Sequence, residues 1–97
     1  MTVRNMESVK GTGKTVANQF IIVDNGRKVF QSYDSTICEI DGRNGHIRVY
    51  GDWDYSPTTR AYFKKFINEE TRFHYESKKQ WLGEMWSNPH ITQAIVL

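Results

Sequence analysis

An apolar run that stops at an Asn-Gly pair constrains the fold more than any other feature of this sequence. Residues 16–24 read V-A-N-Q-F-I-I-V-D, a segment rich in the β-branched and aromatic side chains that favour strands. Asn25 and Gly26 follow at once, and both tolerate the positive φ that the central residues of a two-residue hairpin turn require. The pattern therefore predicts a β-hairpin, with a return strand over residues 28–33.

Three later segments also have the composition of strands. In residues 36–40, T-I-C-E-I, Cys38 and Ile40 share one face of a strand with Glu39 on the other. Residues 46–50 alternate polar and apolar side chains, so Ile47 and Val49 point inward. Residues 91–97 read I-T-Q-A-I-V-L, a strand that is prone to aggregate unless it pairs with the sheet or with a second protomer. We expect an antiparallel four-strand meander, and we expect the C-terminal strand to pair either with this sheet or with another protomer.

The segment after the fourth strand has the signals of a helix start. Ser56 is a favourable N-cap, and Pro57 suits the first helical position because its missing N–H would have no partner there. An apolar stripe at three- and four-residue spacing follows: Thr59, Tyr62, Phe63, Phe66 and Ile67. A second helix is predicted from an N-cap at Thr71 to Leu82, where Gly83 suits the C′ position that ends many helices. The fold class is therefore α+β, a small antiparallel sheet packed by two helices.

Length and cysteine content limit the domain organisation. A chain of 97 residues buries enough surface for one modest core. Residues 1–14 lack a periodic apolar pattern and predict a flexible N-terminal arm, which leaves residues 15–97 as a single α+β domain. One cysteine makes no intramolecular disulfide, and no apolar run reaches the ~18 residues that span a bilayer. We expect a folded cytoplasmic protein with no membrane segment.

Four patterns that could hold a catalytic or ligand site lack the context that their chemistry requires. The tripeptide G-K-T at residues 13–15 precedes a strand, whereas a phosphate-binding loop precedes a helix. The three histidines fall in three different elements, and Cys38 lies within a strand without a C-x-x-C partner. Asp52 and Asp54 occupy a loop, where aspartates commonly accept backbone hydrogen bonds. We predict no enzyme activity, no metal site and no cofactor.

The aromatic residues divide into two groups. Those in strands or at helical spacing are assigned to the core: Phe20, Phe30, Tyr62, Phe63 and Phe66. The three tryptophans lie in a loop, at a helix end and in a turn-rich tail, where large rings often anchor partners. The predicted partner-binding residues are Trp53, Trp81 and Trp86, with a basic flank of Arg60, Lys64 and Lys65.

A nucleic-acid-binding surface is the alternative. Tyr33, Arg48 and Tyr50 are predicted on an outward sheet face, where aromatic and basic side chains could stack on single-stranded bases. The formal net charge is only +2, and basic and acidic residues are mixed along the chain. Dedicated nucleic-acid binders usually concentrate basic residues on one face, so the charge favours a protein partner.

Three segments carry a resemblance: N-Q-F-I-I at residues 18–22, F-Q-S-Y-D-S at 30–35 and D-W-D-Y-S-P-T-T at 52–59. Together they resemble a family of small phage and mobile-element proteins of unassigned function, in which a strand ending F-Q-S-Y-N-S precedes a W-D-Y-S-x-T-T helix start. The resemblance spans residues 16–82 and implies a source and a shared fold, but no activity. Residues 81–90, W-L-G-E-M-W-S-N-P-H, depart from the family's pattern.

Small phage proteins without catalytic residues frequently act by binding and blocking a host machine. The sequence therefore predicts a protein that inhibits or modulates a host protein machine in the host cytoplasm, such as a defence nuclease in the manner of an anti-CRISPR protein. The alternative is a nucleic-acid-binding accessory protein that uses the aromatic and basic sheet face. The C-terminal strand also offers a route to a homo-oligomer.

Overall fold

The computed structural model describes residues 1–94 and shows a six-stranded mixed sheet packed by two helices. The strands are β1 Thr2–Glu7, β2 Thr15–Asp24, β3 Arg27–Ser32, β4 Ser35–Asp41, β5 Ile47–Tyr50 and β6 Ile91–Ala94, and they lie side by side in chain order. Between β5 and β6 the chain forms a 3₁₀ turn over Gly51–Asp54, helix α1 over Pro57–Glu70 and helix α2 over Lys78–Ser87. The predicted α+β class is confirmed.

The predicted hairpin is the β2–β3 pair. Asn25 and Gly26 form its turn with φ of 51° and 79°, as a type I′ turn requires at both central positions. Asp24 pairs with Arg27 across the turn, and the register continues without a shift to Gln19 and Ser32.

The prediction of a flexible arm is wrong for residues 2–7. These residues form β1 and pair antiparallel with β2, with Val3 opposite Ile22 and Arg4 opposite Ile21. Arg4 also reaches helix α1, where its Nη2 lies 2.5 Å from Glu70 Oε1. Only Met6 of this edge strand is buried, so the segment has no apolar pattern that could have indicated a strand.

The sheet is not purely antiparallel, because β6 pairs parallel with β5. A parallel neighbour needs a long crossover connection, and the 3₁₀ turn and both helices supply it. The prediction that the C-terminal segment pairs with the sheet is confirmed for Ile91–Ala94, and residues 95–97 lie outside the described part of the chain.

Helix α1 begins as predicted. Ser56 has extended backbone and its Oγ accepts a hydrogen bond from the Thr59 N–H, while Pro57 occupies the first turn. The buried residues of α1 are the five of the predicted stripe. Phe66 from this stripe stacks on Phe30 of the sheet with ring centroids 5.7 Å apart.

Helix α2 begins six residues later than predicted. Its N-cap is Ser77, whose Oγ accepts from the Gln80 N–H, whereas Thr71 ends α1 and its hydroxyl donates to the Ile67 carbonyl. Gly83 lies inside α2 rather than after it. Both Thr71 and Ser77 are good caps, and the local sequence does not distinguish the residue that starts a helix from the one that ends the previous helix.

The core lies between one face of the sheet and the helices. Phe30 of β3 is opposite Ile21 on one side and Cys38 on the other, and all three side chains are at most 3% exposed. The rings of Trp53, Phe63, Tyr75 and Trp81 pack together with centroid distances of 5.4–5.9 Å. The assignment of Phe20 to this core is wrong: it pairs with Gln31 on the opposite face, where it is half-buried.

Candidate functional site

The two sequence motifs at residues 30–35 and 52–59 meet in space and line one cavity, which we call the motif cleft. It lies where the β3–β4 turn faces the start of α1, and its volume is ≈ 610 Å³, in the range typical of ligand sites. Its lining residues are Ser32, Tyr33, Asp34, Ser35, Ile37, Asp52, Tyr55, Ser56, Thr58 and Thr59. Nine of these ten belong to the two motifs, and Ile37 is the exception.

Buried hydroxyl groups form the floor of the motif cleft. Ser32 Oγ lies 3.2 Å from Thr59 Oγ1, and both residues are at most 3% exposed. Ser56 Oγ donates to Thr59 Oγ1 at 3.1 Å and accepts from the Thr59 N–H at the same distance. The hydroxyl contacts tie the end of β3 to the first turn of α1, and they fix the distance between the two motifs.

Two exposed tyrosines line the rim of the motif cleft. Tyr33 is 56% exposed and Tyr55 is 81% exposed. Tyr33 has a φ of 53°, a conformation that non-glycine residues adopt only when the surroundings enforce it. Its N–H donates to the Asn18 carbonyl and its carbonyl accepts from Gln31 Nε2, both at 2.7 Å. The backbone that carries the Tyr33 ring is therefore fixed on both sides.

The cleft also contains two carboxylates without cationic partners. Asp34 and Asp52 are exposed, and neither forms an ion pair with another side chain of residues 1–94. Asp54, two residues further along the same motif, differs: its oxygens lie 2.8 Å from Arg60 Nη1 and 2.6 Å from Lys78 Nζ. Hydrogen bonding by Lys78, and less strongly by Arg60, lowers the pKa of Asp54. Asp54 holds α1 and α2 to the 3₁₀ turn, whereas Asp34 and Asp52 have no such role.

A second cavity of ≈ 340 Å³ lies on the sheet face that the helices do not cover, and we call it the sheet-face cavity. Its lining residues are Arg27, Glu39, Ile40, Asp41, Asn44, His46 and Arg48. Glu39 pairs with Arg27 at 3.3 Å and accepts a hydrogen bond from the Tyr50 hydroxyl. That hydrogen bond is the main reason why the pKa of Tyr50 is raised. Arg27–Glu39 is the one ion pair among these residues in the described part of the chain, and the two arginines and two carboxylates of the lining balance in formal charge.

The structure corrects the premise that all three tryptophans are exposed. Trp81 is 0% exposed, and it lies one helical turn before Met85 on the buried side of α2. Trp53 is 7% exposed and lies 5.7 Å from the ring of Phe63. Neither ring is available to a partner in this structure. Trp86, on the outer side of α2, is 82% exposed.

The basic flank of α1 makes local contacts. Arg60 pairs with Asp54, Lys65 Nζ lies 2.5 Å from Glu69 Oε2, and Lys64 Nζ donates to the Glu76 carbonyl at 3.1 Å. These three side chains stabilise α1 and its connection to the following loop. Exposed pairs of this kind are weak and remain open to exchange with a partner's charges.

The residues of the alternative nucleic-acid surface do not meet at one site. Tyr33 lines the motif cleft, whereas Arg48 lines the sheet-face cavity and Tyr50 is bonded to Glu39 next to it. The sheet-face cavity contains acidic as well as basic side chains, which weakens its attraction for phosphate.

Neither the free cysteine nor the metal-ligating side chains of residues 1–94 form a reactive or metal-binding centre. Cys38 is fully buried, and burial raises the pKa of its thiol well above the ordinary value, which disfavours the reactive thiolate. No three His, Cys, Asp or Glu side chains within residues 1–94 are close enough together to hold a metal ion. Neither helix in the described part of the chain has the length and apolar character to cross a membrane.

A family model covers residues 1–83, which includes both motifs and every residue of the motif cleft. It describes a family of unknown function, DUF8033. The chain belongs to this family. The DUF8033 match ends within α2, so Trp86 and β6 lie outside it. No curated protein and no solved structure matches the chain.

Both motifs are visible in the sequence, but no local pattern indicates that they meet in space. Asp52, Ser56 and Thr59 are each predicted in local structural roles, and Asp34 and Tyr55 are not among the predicted site residues. The signal that could have found the site is the presence in both motifs of a tyrosine beside an aspartate and a serine, in the turn and in the helix start. Two such polar aromatic segments on different elements are candidates for a common surface.

Proposed function

We propose that this protein is a non-enzymatic binding protein of a phage or mobile element that contacts a host protein machine in the host cytoplasm and inhibits or modulates it. A defence nuclease is the proposed kind of target, in the manner of an anti-CRISPR protein. The motif resemblance supports the source, and a short chain whose residues 1–94 hold no cluster of metal ligands is compatible with action by contact alone.

One observation carries the proposal of binding: the two motifs build the motif cleft, and its rim exposes the rings of Tyr33 and Tyr55. Tyrosine supplies a large contact area with few rotatable bonds, and exposed tyrosines around a recess are typical of protein-binding surfaces. Burying a ring that is 81% exposed would add apolar contact that the isolated chain lacks. The motif cleft is therefore the proposed docking surface.

Trp86 offers a second candidate surface, and its role as a partner anchor stays a prediction. It is 82% exposed, and Leu82 beside it on α2 is 37% exposed. Pairing of the outer edge of β6 with a second copy also stays a prediction.

The two surfaces can be separated by one capture experiment with a tagged full-length chain. The bait is incubated with lysate of the cells that carry its gene, and retained proteins are identified by mass spectrometry. Tyr55→Ser and Trp86→Ser are matched variants, because the two rings are 81% and 82% exposed and neither substitution disturbs the core. We expect Tyr55→Ser to lose a specific host protein that wild type and Trp86→Ser both retain.

Retention that is unchanged in Tyr55→Ser contradicts docking at the motif cleft. Loss in Trp86→Ser alone moves the docking surface to α2. If nuclease treatment of the lysate removes the captured protein from every bait that retains it, nucleic acid bridges the two, and the alternative function with Tyr33, Arg48 and Tyr50 replaces this one.

A further inference from the structure

The chemistry of the motif cleft is suited to a cation. Asp34 and Asp52 contribute two carboxylates, and no Lys, Arg or His side chain is among the lining residues. Neither carboxylate is paired with a cation within residues 1–94. A positively charged group that enters the cleft would gain two favourable interactions without breaking an existing ion pair.

An anion is disfavoured although a helix starts at the cleft. The first N–H groups of a helix bind anions when they lack partners. Here Pro57 has no N–H, the Thr59 N–H is bonded to Ser56 Oγ, and the Arg60 N–H is bonded to the Ser56 carbonyl. Of the N–H groups in this turn, only that of Thr58 has no hydrogen-bond partner within residues 1–94, and the two nearby carboxylates repel an anion.

The tyrosine rings make the site specific for a cation that also has a flat apolar surface. The faces of Tyr33 and Tyr55 carry negative π-density, which attracts a cation placed over them. A guanidinium group is planar, is weakly hydrated, stacks on aromatic rings and donates up to five hydrogen bonds to carboxylates. An ammonium group is a strongly hydrated point charge and uses fewer of these features.

We infer that the motif cleft receives an arginine side chain from an extended segment of the partner protein, with the guanidinium between Tyr33 and Tyr55 and bound by Asp34 and Asp52. A cavity of ≈ 610 Å³ accommodates the side chain together with the backbone of the residues on either side of it. The inference rests on the proposed function, because it names the group through which the partner would dock.

The test uses the full-length chain labelled with nitrogen-15 and titrated, in separate samples, with two acetylated and amidated tripeptides. One is Gly-Arg-Gly, and the other replaces arginine by citrulline, which has nearly the same shape but no charge. We expect the arginine tripeptide to shift, with saturation, the amide signals of residues 33–35, 55, 56, 58 and 59. The citrulline tripeptide should bind at least about tenfold more weakly, because it lacks the charge-assisted hydrogen bonds.

Substitutions of the two cleft carboxylates test whether their charges bind the arginine tripeptide. Asp34→Asn and Asp52→Asn should each weaken binding of the arginine tripeptide about twofold to fivefold. Asp24→Asn is the matched control, since Asp24 is an exposed carboxylate of the hairpin that lines neither cavity, and it should leave the affinity unchanged.

The inference is overturned if the two tripeptides bind equally, if the arginine tripeptide produces no saturable shift, or if inorganic phosphate or a single-stranded oligonucleotide shifts the same signals at lower concentration. Its failure is distinguishable from failure of the proposed function. If capture depends on Tyr55 but the arginine tripeptide does not bind, the motif cleft is still the docking surface but its ligand is not arginine. If the arginine tripeptide binds but no host protein is captured, the cleft is still an arginine site but the proposed function is wrong.

Discussion

The motif cleft and the sheet-face cavity are both lined by charged and polar residues, yet they differ in how those charges are used. In the sheet-face cavity Glu39 is bonded to Arg27 and Tyr50. In the motif cleft Asp34 and Asp52 have no cationic partner in the described part of the chain. Charges that satisfy one another stabilise the fold, whereas charges left unpaired are available to a ligand. The two cavity volumes, ≈ 610 and ≈ 340 Å³, both fall in the range typical of ligand sites, so volume alone does not show which cavity binds a ligand.

The largest change in the free energy of unfolding is expected at the floor of the motif cleft, because the hydroxyl groups there also join β3 to α1. Thr59→Val keeps the shape of the side chain but removes the hydroxyl that contacts Ser32 and Ser56. Buried Ser32 then loses its partner, and the free energy of unfolding should fall by about 1–3 kcal/mol in urea denaturation. Thr58→Val, one residue away and exposed, should change it by less than about 0.5 kcal/mol. Equal effects of the two variants would show that the floor contacts do not hold the motifs together.

The motif at residues 52–59 contains a paired carboxylate, Asp54, beside Asp52, which has no ion pair within residues 1–94. Asp54→Asn weakens the contacts with Arg60 and Lys78 and should lower the free energy of unfolding by about 1 kcal/mol at neutral pH. The pKa of Asp54 is lowered in the folded state, so its contribution is present above the ordinary value of 3.8 and is lost as the pH falls through the folded-state pKa. The difference in the free energy of unfolding between wild type and Asp54→Asn should therefore disappear as the pH falls below 3.8, which acid denaturation curves measure. A gap that stays constant down to pH 2 would contradict the ion pairs.

A smaller loss is expected in the sheet-face cavity. Glu39→Gln should lower the free energy of unfolding by about 0.5–1 kcal/mol, because it removes the charge that Arg27 and Tyr50 contact. It should also return the pKa of Tyr50 toward 10.0, measured by NMR titration of its ring carbons. In the wild type, the hydrogen bond of Tyr50 contributes to the free energy of unfolding below pH 10.0, and this contribution is lost as the pH rises through the raised pKa of Tyr50. An unchanged Tyr50 pKa in the variant would mean that Glu39 does not control this hydroxyl.

The smallest effect on stability is expected for the two carboxylates of the motif cleft. Asp34→Asn and Asp52→Asn should each change the free energy of unfolding by less than about 0.5 kcal/mol, since neither side chain has an ion pair to lose. Thermal and urea unfolding measure this directly beside Glu39→Gln. A loss at Asp34 or Asp52 as large as that at Glu39 would remove the distinction between the two cavities.

The local parts of the fold could be predicted from the sequence. The Asn25-Gly26 turn, the Ser56 cap and the buried stripe of α1 each depend on a few neighbouring residues, and the structure confirms all three. Strand β1 was missed because its side chains are mostly exposed, and the parallel pairing of β6 depends on a crossover that no local pattern encodes. The motif cleft was missed for the same reason, since Ser32 and Thr59 are 27 residues apart.

The tryptophans show why exposure is harder to predict than burial of a regular stripe. Trp81 and Trp86 are five residues apart on one helix, and one is 0% exposed while the other is 82% exposed. Five residues along an α-helix correspond to a rotation of about 140°, so the two rings project from different sides of α2. The predicted helix ended at Leu82, so the sequence did not indicate that Trp81 lies one turn before Met85 on the buried side.

Competitive release tests the central claim, docking of a partner arginine in the motif cleft, most directly. The immobilised full-length chain is loaded with the captured host protein and washed with the arginine or the citrulline tripeptide at equal concentration. We predict that the arginine tripeptide releases the protein and the citrulline tripeptide does not, with wild type and with Trp86→Ser as bait. Release by both tripeptides, or by neither although the arginine tripeptide occupies the cleft, would contradict the claim.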